Sequence, residues 1–272
     1  MFNFKNIIRF AVLLIAVSVL ACREAIDWEL KSGENGRLVV EAILTDELTF
    51  QEIKLSKSYD GLNEEAPTVN EANISVAVNG FSIRFFADSL NAGCYKSEVP
   101  FAVINNLEYT LNIEWQGERY EAKSFLSNVA PIPEITFQPV GTNGNLSFNE
   151  SSFLYNANQQ AMYEMNIDWS HLSTDSITKA KIIFYTFSSL EESELVRPDF
   201  EDIIFPTGSI VILKKFGLND DFANYLRSLA IETDWNGGAF YSAPSSLPTN
   251  ISNNGLGFFS TCAVVVDTLI AE

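Results

Sequence analysis

The sequence predicts a mainly β protein: an N-terminal β-sandwich of immunoglobulin or transthyretin type, then a second β-rich domain with one amphipathic helix. Three observations predict it. Apolar residues recur with period two along most of the chain, tight-turn residues separate the alternating runs, and one stretch near residue 220 switches to helical spacing. With 47% hydrophobic and 12% aromatic residues in 272, the chain has the composition of a globular protein and not of a disordered one.

The first element is not part of that fold. Lys5 and Arg9 precede an apolar run from Phe10 to Ala21, shorter than the ~20 residues a spanning helix needs. A basic start, a short apolar core and a small residue before a break describe a secretory signal peptide, residues 1–21. The run ends "VSVLAC", Val17 to Cys22, and turns polar at once at Arg23-Glu24. Signal cleavage by itself needs small residues but no sulfur. Val-Leu-Ala-Cys therefore reads as a bacterial lipobox, with Cys22 the site of lipid attachment and the first mature residue. Several acyl chains on one residue hold a membrane stably, where a single chain binds marginally. Residues 22–36 are polar and read as a tether. Losing residues 1–21 removes Lys5 and Arg9 and no acid, so the net charge of −18 becomes about −20. Such a surface repels phosphate backbones, and no nucleic-acid partner is expected.

The sandwich is expected over 37–127. "RLVVEAIL" and "EIKLSKS" read as its first strands. In "NISVAVNGFSIRFF", Ile74, Val76 and Val78 alternate up to the turn Asn79-Gly80, and Phe81, Ile83 and Phe85 alternate away from it. A two-residue turn sets 78 against 81, 76 against 83 and 74 against 85, with all six side chains on one face. A second hairpin runs from Leu107 to Trp115, turns at Gln116-Gly117, and sets Tyr120 against Ile113 and Ala122 against Leu111. Tyr109 reads as an inward-facing strand tyrosine, with a tyrosine corner as the alternative.

Pro131 and Pro133 lack the amide donors a ladder needs, which places the boundary of the second domain, 134–272. There Tyr163, Met165, Ile167 and Trp169 alternate, and "AKIIFYTF" and "GSIVILKKF" read as buried strands. "LNDDFANYLRSLAIE" spaces Phe222, Tyr225, Leu226 and Leu229 on one helical face, capped by Asn219 or Asp220. "NNGLGFFSTCAVVV" reads as a turn into a closing strand.

Chemistry-bearing patterns are few, and no catalytic residue, metal or cofactor is assigned. His171 is the one histidine, and a Ser-His-Asp triad would have to be built on it. HExxH, CxxC and phosphate-loop motifs do not occur. Asn219, Asp220 and Asp221 suit a helix cap better than calcium, and Glu191, Glu192 and Glu194 suit a solvated loop. Cys94 and Cys262 have two readings, one disulfide in an oxidising compartment or two separate buried thiols. Phe240 and Tyr241, beside two glycines and a proline in "NGGAFYSAP", form a candidate binding loop or a plug for the second core.

The lipobox with "RLVVEAILTDE", "IKLSKSYDG", "EANISVAVNG", "YTLNIEWQGERYEA", "NYLRSL" and "NGGAFYSAPSSLPTNISNNGLGFFS" resembles the Bacteroidota lipoproteins grouped as domain of unknown function 4249. The resemblance covers nearly the whole mature chain. It implies an outer-membrane location and, by association, a TonB-dependent transporter as neighbour; it carries no activity. "CREAID" has few acids after Cys22, so the face of the membrane is left open. The expectation is a lipid-anchored, non-enzymatic accessory or binding protein of the outer membrane. Its alternatives are a stand-alone adhesin-like or glycan-binding module and a carboxylate-based hydrolase.

Overall fold

The computed structural model describes residues 36–59, 65–149, 159–173, 177–188, 200–233 and 247–272. Cys22, the tether, Glu191, Glu192, Glu194, Phe240 and Tyr241 lie outside the described residues. The strands are β1 (Leu38–Thr45), β2 (Glu52–Lys57), β3 (Asn73–Val78), β4 (Phe81–Ala87), β5 (Cys94–Ser97), β6 (Glu108–Trp115) and β7 (Glu118–Phe125). They continue as β8 (Phe137–Val140), β9 (Asn145–Phe148), β10 (Ala161–Asp168), β11 (Lys179–Thr186), β12 (Phe205–Pro206) and β13 (Ile210–Gly217). Helix α1 (Asp220–Thr233) precedes β14 (Leu256–Cys262) and β15 (Val264–Ile270).

Both hairpins form in the expected register. Ile74 faces Phe85, Val76 faces Ile83 and Val78 faces Phe81, while Ile113 faces Tyr120 and Leu111 faces Ala122. Each turn has two residues at positive φ, Asn79 at 46° and Gly80 at 80°, then Gln116 at 52° and Gly117 at 81°. That is the geometry of a type I′ turn, whose twist matches the flanking strands. The shared face of the first hairpin is not uniformly covered. Ile74, Val76 and Phe85 are buried, but Phe81 is 74% exposed, because the turn carries the last pair beyond the core.

The large sheet has the order β14-β1-β2-β5-β4-β3-β6-β7. Its two ends come together: the Ala263 amide donates to the Ser127 carbonyl (2.9 Å) just beyond β7 and β14, and Ser124 and Thr261 share a buried hydroxyl contact of 3.1 Å. The result is a β-sandwich around one core, filled by Leu38, Val40, Leu55, Val76, Tyr95, Tyr109, Leu111 and Phe259 among others. Each fully buried aliphatic or aromatic side chain contributes roughly 1.5–3 kcal/mol. Buried polar groups here are bonded. Gln51 accepts from the Thr45 amide (2.9 Å) and donates to the carbonyls of Thr45, Glu47 and Phe101, which fixes the loop between β1 and β2. Tyr109 accepts from the Ile104 amide at 2.8 Å, five residues upstream, so it behaves as a tyrosine corner.

The domain division departs from expectation in one respect. Pro131 and Pro133 do mark where the chain leaves the first sheet, but residues 134–272 do not all stay in the second region. β14 returns to the first sheet and pairs in parallel with β1, Val40 opposite Gly257 and Leu44 opposite Thr261. After Ala263 the chain passes into β15, the edge of a four-stranded sheet ordered β11-β10-β13-β15. The physical reason is the edge of β1. Its amides and carbonyls need a partner, and "LGFFSTC" is apolar or small enough to be buried there.

The second sheet packs on a three-stranded sheet, β12-β9-β8, through Phe148, Phe184, Phe200 and Phe205. Asn219 caps α1, its side chain accepting from the Phe222 amide at 2.8 Å, with Asp220 and Asp221 in the first turn. Phe222, Ala223, Leu226 and Ala230 are buried, and Phe222 and Tyr225 each stack on Phe258 of β14 at 5.2 Å.

Candidate functional site

The side chains that β3, β4, β6 and β7 point away from the core line a candidate site. Alternation dictates its composition. With Ile74, Val76, Leu111, Ile113, Tyr120 and Ala122 inward, the residues between them must face out. Register then lines them up in two rows across the strands. Arg84, Ser75, Asn112 and Glu121 form one row, and Phe86, Asn73, Glu114 and Arg119 the other. They line a cleft of about 900 Å³, to which Ser252 also contributes.

The polar groups in this cleft are mostly uncommitted. Among the described residues, the side chains of Asn73, Ser75, Ser82, Glu114, Arg119 and Glu121 take no hydrogen bond or ion pair within the chain. Asn112 spends one amide proton on the Thr110 carbonyl, at 3.3 Å. Arg84 pairs with Glu98 at 3.3 Å and lies over the Phe86 ring at 5.5 Å, yet that ring remains 53% exposed. Two arginines and two glutamates balance the charge of the lining, in a protein whose overall charge is −18. Such a surface offers planar donors and acceptors side by side, with an aromatic ring at the rim.

One wall is held by the segment after residue 247. Asn250 acts as a strand residue through its side chain: its amide donates to the carbonyls of Phe259 (2.8 Å) and Lys123 (3.2 Å) and accepts from the Phe259 amide (3.0 Å). Ser252 exchanges two bonds with the Glu121 backbone, and Ile251 enters the first core. The Asn-Ile-Ser stretch therefore welds β7 to β14 and positions Ser252 at the cleft.

The residues singled out in the sequence are not gathered there. His171 is exposed after β10, its Nε2 3.1 Å from the Gly208 carbonyl. The bridge between Cys94 and Cys262 does not form; both are free thiols. Cys94 starts β5 and Cys262 ends β14, with β1 and β2 between those strands in the sheet. Three strand spacings of ~4.8 Å exceed what a disulfide spans. Burial pushes the Cys262 thiol up to about 12, which makes it an unreactive core residue. Lys215 is buried on β13, and that burial pulls its pKa below the ordinary lysine value. Its ammonium donates to Gln159 Oε1 (2.9 Å) and the Pro131 carbonyl (3.3 Å), tying the proline linker to the second sheet. Of the acids near α1, Asp220 accepts from Gln160 at 2.8 Å. Among the described residues, no three His, Cys, Asp or Glu side chains gather as a metal site would require.

Sequence reading passed over the cleft, although the signal was present. The two hairpin registers already placed Ser75 beside Arg84 and Glu114 beside Arg119, and Phe86 breaks the polar alternation of its strand.

The fold defines the class first: a mainly β protein in which a β-sandwich is joined to a second β region bearing one helix. The family follows from a match of residues 23–268 to the family described as "Domain of unknown function (DUF4249)"; the chain belongs to it. No curated protein matches the chain. Among solved structures, it is similar to the FN1–FN3 domains of chicken CNTN1 at 13% identity, with 69% of this chain and 60% of that chain covered. The TM-score of 0.15 is too low for that likeness to support any argument.

Proposed function

We propose that the chain is a lipid-anchored, non-enzymatic binding or accessory protein of the bacterial outer membrane, working beside a transporter or other surface protein. The cleft on the β4-β3-β6-β7 face carries the binding part of this reading. The lining side chains Asn73, Ser75, Glu114 and Arg119 make no hydrogen bond or ion pair among the described residues, which leaves them available to a ligand. Free donors and acceptors around an exposed ring suit recognition. The lipobox ending at Cys22 supports anchoring.

The test is fractionation of cells expressing wild type or Cys22→Ala. Wild type is expected to take up labelled fatty acid and sediment with outer membrane, bringing a β-barrel protein through mild cross-linking. Cys22→Ala is expected to lose label and membrane retention. Label and retention persisting in the variant would overturn the anchor, and a cross-linked fraction without a barrel protein would overturn the transporter partnership.

A further inference from the structure

We propose that the cleft on the outer face of β4-β3-β6-β7 is a binding site for a neutral glycan. The inference rests on the binding reading above but on neither the anchor nor the transporter. Asn73, Ser75, Glu114, Arg119 and Glu121 present amide, hydroxyl, carboxylate and guanidinium groups within one cleft of about 900 Å³, with no intramolecular partner for their side chains among the described residues. Adjacent sugar hydroxyls each donate and accept, and planar side chains of these kinds engage such pairs two bonds at a time. Phe86, half-exposed at the rim, offers its ring to the C–H face of a sugar.

Other ligand classes fit worse. An apolar molecule would cover these polar groups without replacing their bonds to water, a cost of about 1–3 kcal/mol per group. An anionic ligand would meet a lining with balanced arginines and glutamates on a strongly acidic protein. A peptide added as an extra strand needs a free sheet edge, and β3, β4 and β6 are each paired on both sides. A polyhydroxylated ligand without net charge is the one that satisfies the donors, the acceptors and the ring together.

The experiment is affinity electrophoresis of the full chain, solubilised in a polyoxyethylene detergent because sugar-headed detergents would compete. Native gels contain dextran, galactomannan, xyloglucan or, as the anionic comparison, polygalacturonate. At least one neutral polysaccharide is expected to retard the protein. Phe86→Ala, and separately Glu114→Gln with Arg119→Gln, should weaken that retardation at least tenfold, while Thr268→Ala on the second sheet leaves it unchanged. All of these positions are exposed, so melting temperatures matching wild type verify the fold. Cys22→Ala should bind as wild type does, which separates failure of the anchor from failure of the site. No retardation by any neutral polysaccharide, stronger retention by polygalacturonate, or retardation unchanged in both cleft variants would overturn the proposal.

Discussion

The inner and outer faces of β4, β3, β6 and β7 are built from alternate residues of the same strands, and they do different work. On the inner face Val76, Leu111, Ile113 and Tyr120 are packed against the rest of the sandwich. On the outer face Asn73, Ser75, Glu114 and Arg119 touch water and make no side-chain hydrogen bond or ion pair among the described residues. A side chain that holds the fold is spent on it. One left unbonded in a cleft can be spent on a ligand, so the same ladder carries stability on one side and recognition on the other.

The widest contrast is between neighbours 75 and 76. Val76 is fully buried, so Val76→Asp is expected to cost several kcal/mol, because a charge placed there finds no partner. Ser75→Asp, on the other face, should stay within about 0.5 kcal/mol. Chemical denaturation of both variants checks the pair, and equal losses would break the assignment of faces.

A smaller effect tests how the sandwich is closed. Gly257 sits at φ +82° beside β1, and a Cβ there would run into the Val40 carbonyl. Gly257→Ala should therefore cost about 2 kcal/mol or more, combining the positive-φ penalty with displacement of β14 from β1. Thermal unfolding within a degree of wild type would show that β14 does not pair as described.

The smallest expected effect is electrostatic and lies just outside the cleft. Asp88 accepts from the Leu90 amide (3.0 Å), the Asn91 side chain (2.8 Å) and the Lys96 ammonium (3.0 Å). These bonds, the Leu90 amide foremost, hold its pKa at about 2, below the ~3.9 of an unfolded aspartate. A depressed carboxylate stabilises the fold fully above its unfolded pKa, and that contribution is lost as pH falls through the folded value. The melting-temperature gap between wild type and Asp88→Asn should thus be constant from pH 7 to 5 and narrow between about pH 4 and pH 2. A gap that widens on acidification would contradict the described bonds.

What was legible in the sequence was local. Asn79-Gly80 and Gln116-Gly117 set both hairpin registers because a two-residue turn leaves no freedom of pairing, and Phe222, Tyr225 and Leu226 marked a helix whose cap sits beside them. Closure of the sandwich was not legible. β1 and β14 lie more than two hundred residues apart in the chain, and nothing in "LGFFSTC" distinguishes a partner in the first sheet from one in the second. Asn250 was visible only as part of a resemblance; its work, substituting a side-chain amide for strand backbone, depends on β7 and β14 being already adjacent. Tyr109 meets both of its readings, since its ring is buried in the first core while its hydroxyl accepts from the Ile104 amide. The outer cleft was half legible. Its residues followed from the registers, but the pairing of β3 with β6 that brings the two hairpins side by side did not.

The central claim is that Asn73, Glu114 and Arg119, on the outer face of β3, β6 and β7, are free of structural duty. Thermal unfolding of the triple variant Asn73→Ala, Glu114→Ala and Arg119→Ala in the full chain tests it most directly. Surface positions without partners predict a stability within about 1 kcal/mol of wild type. A loss of several kcal/mol would contradict the claim, since it would mean that these side chains hold the fold rather than await a ligand.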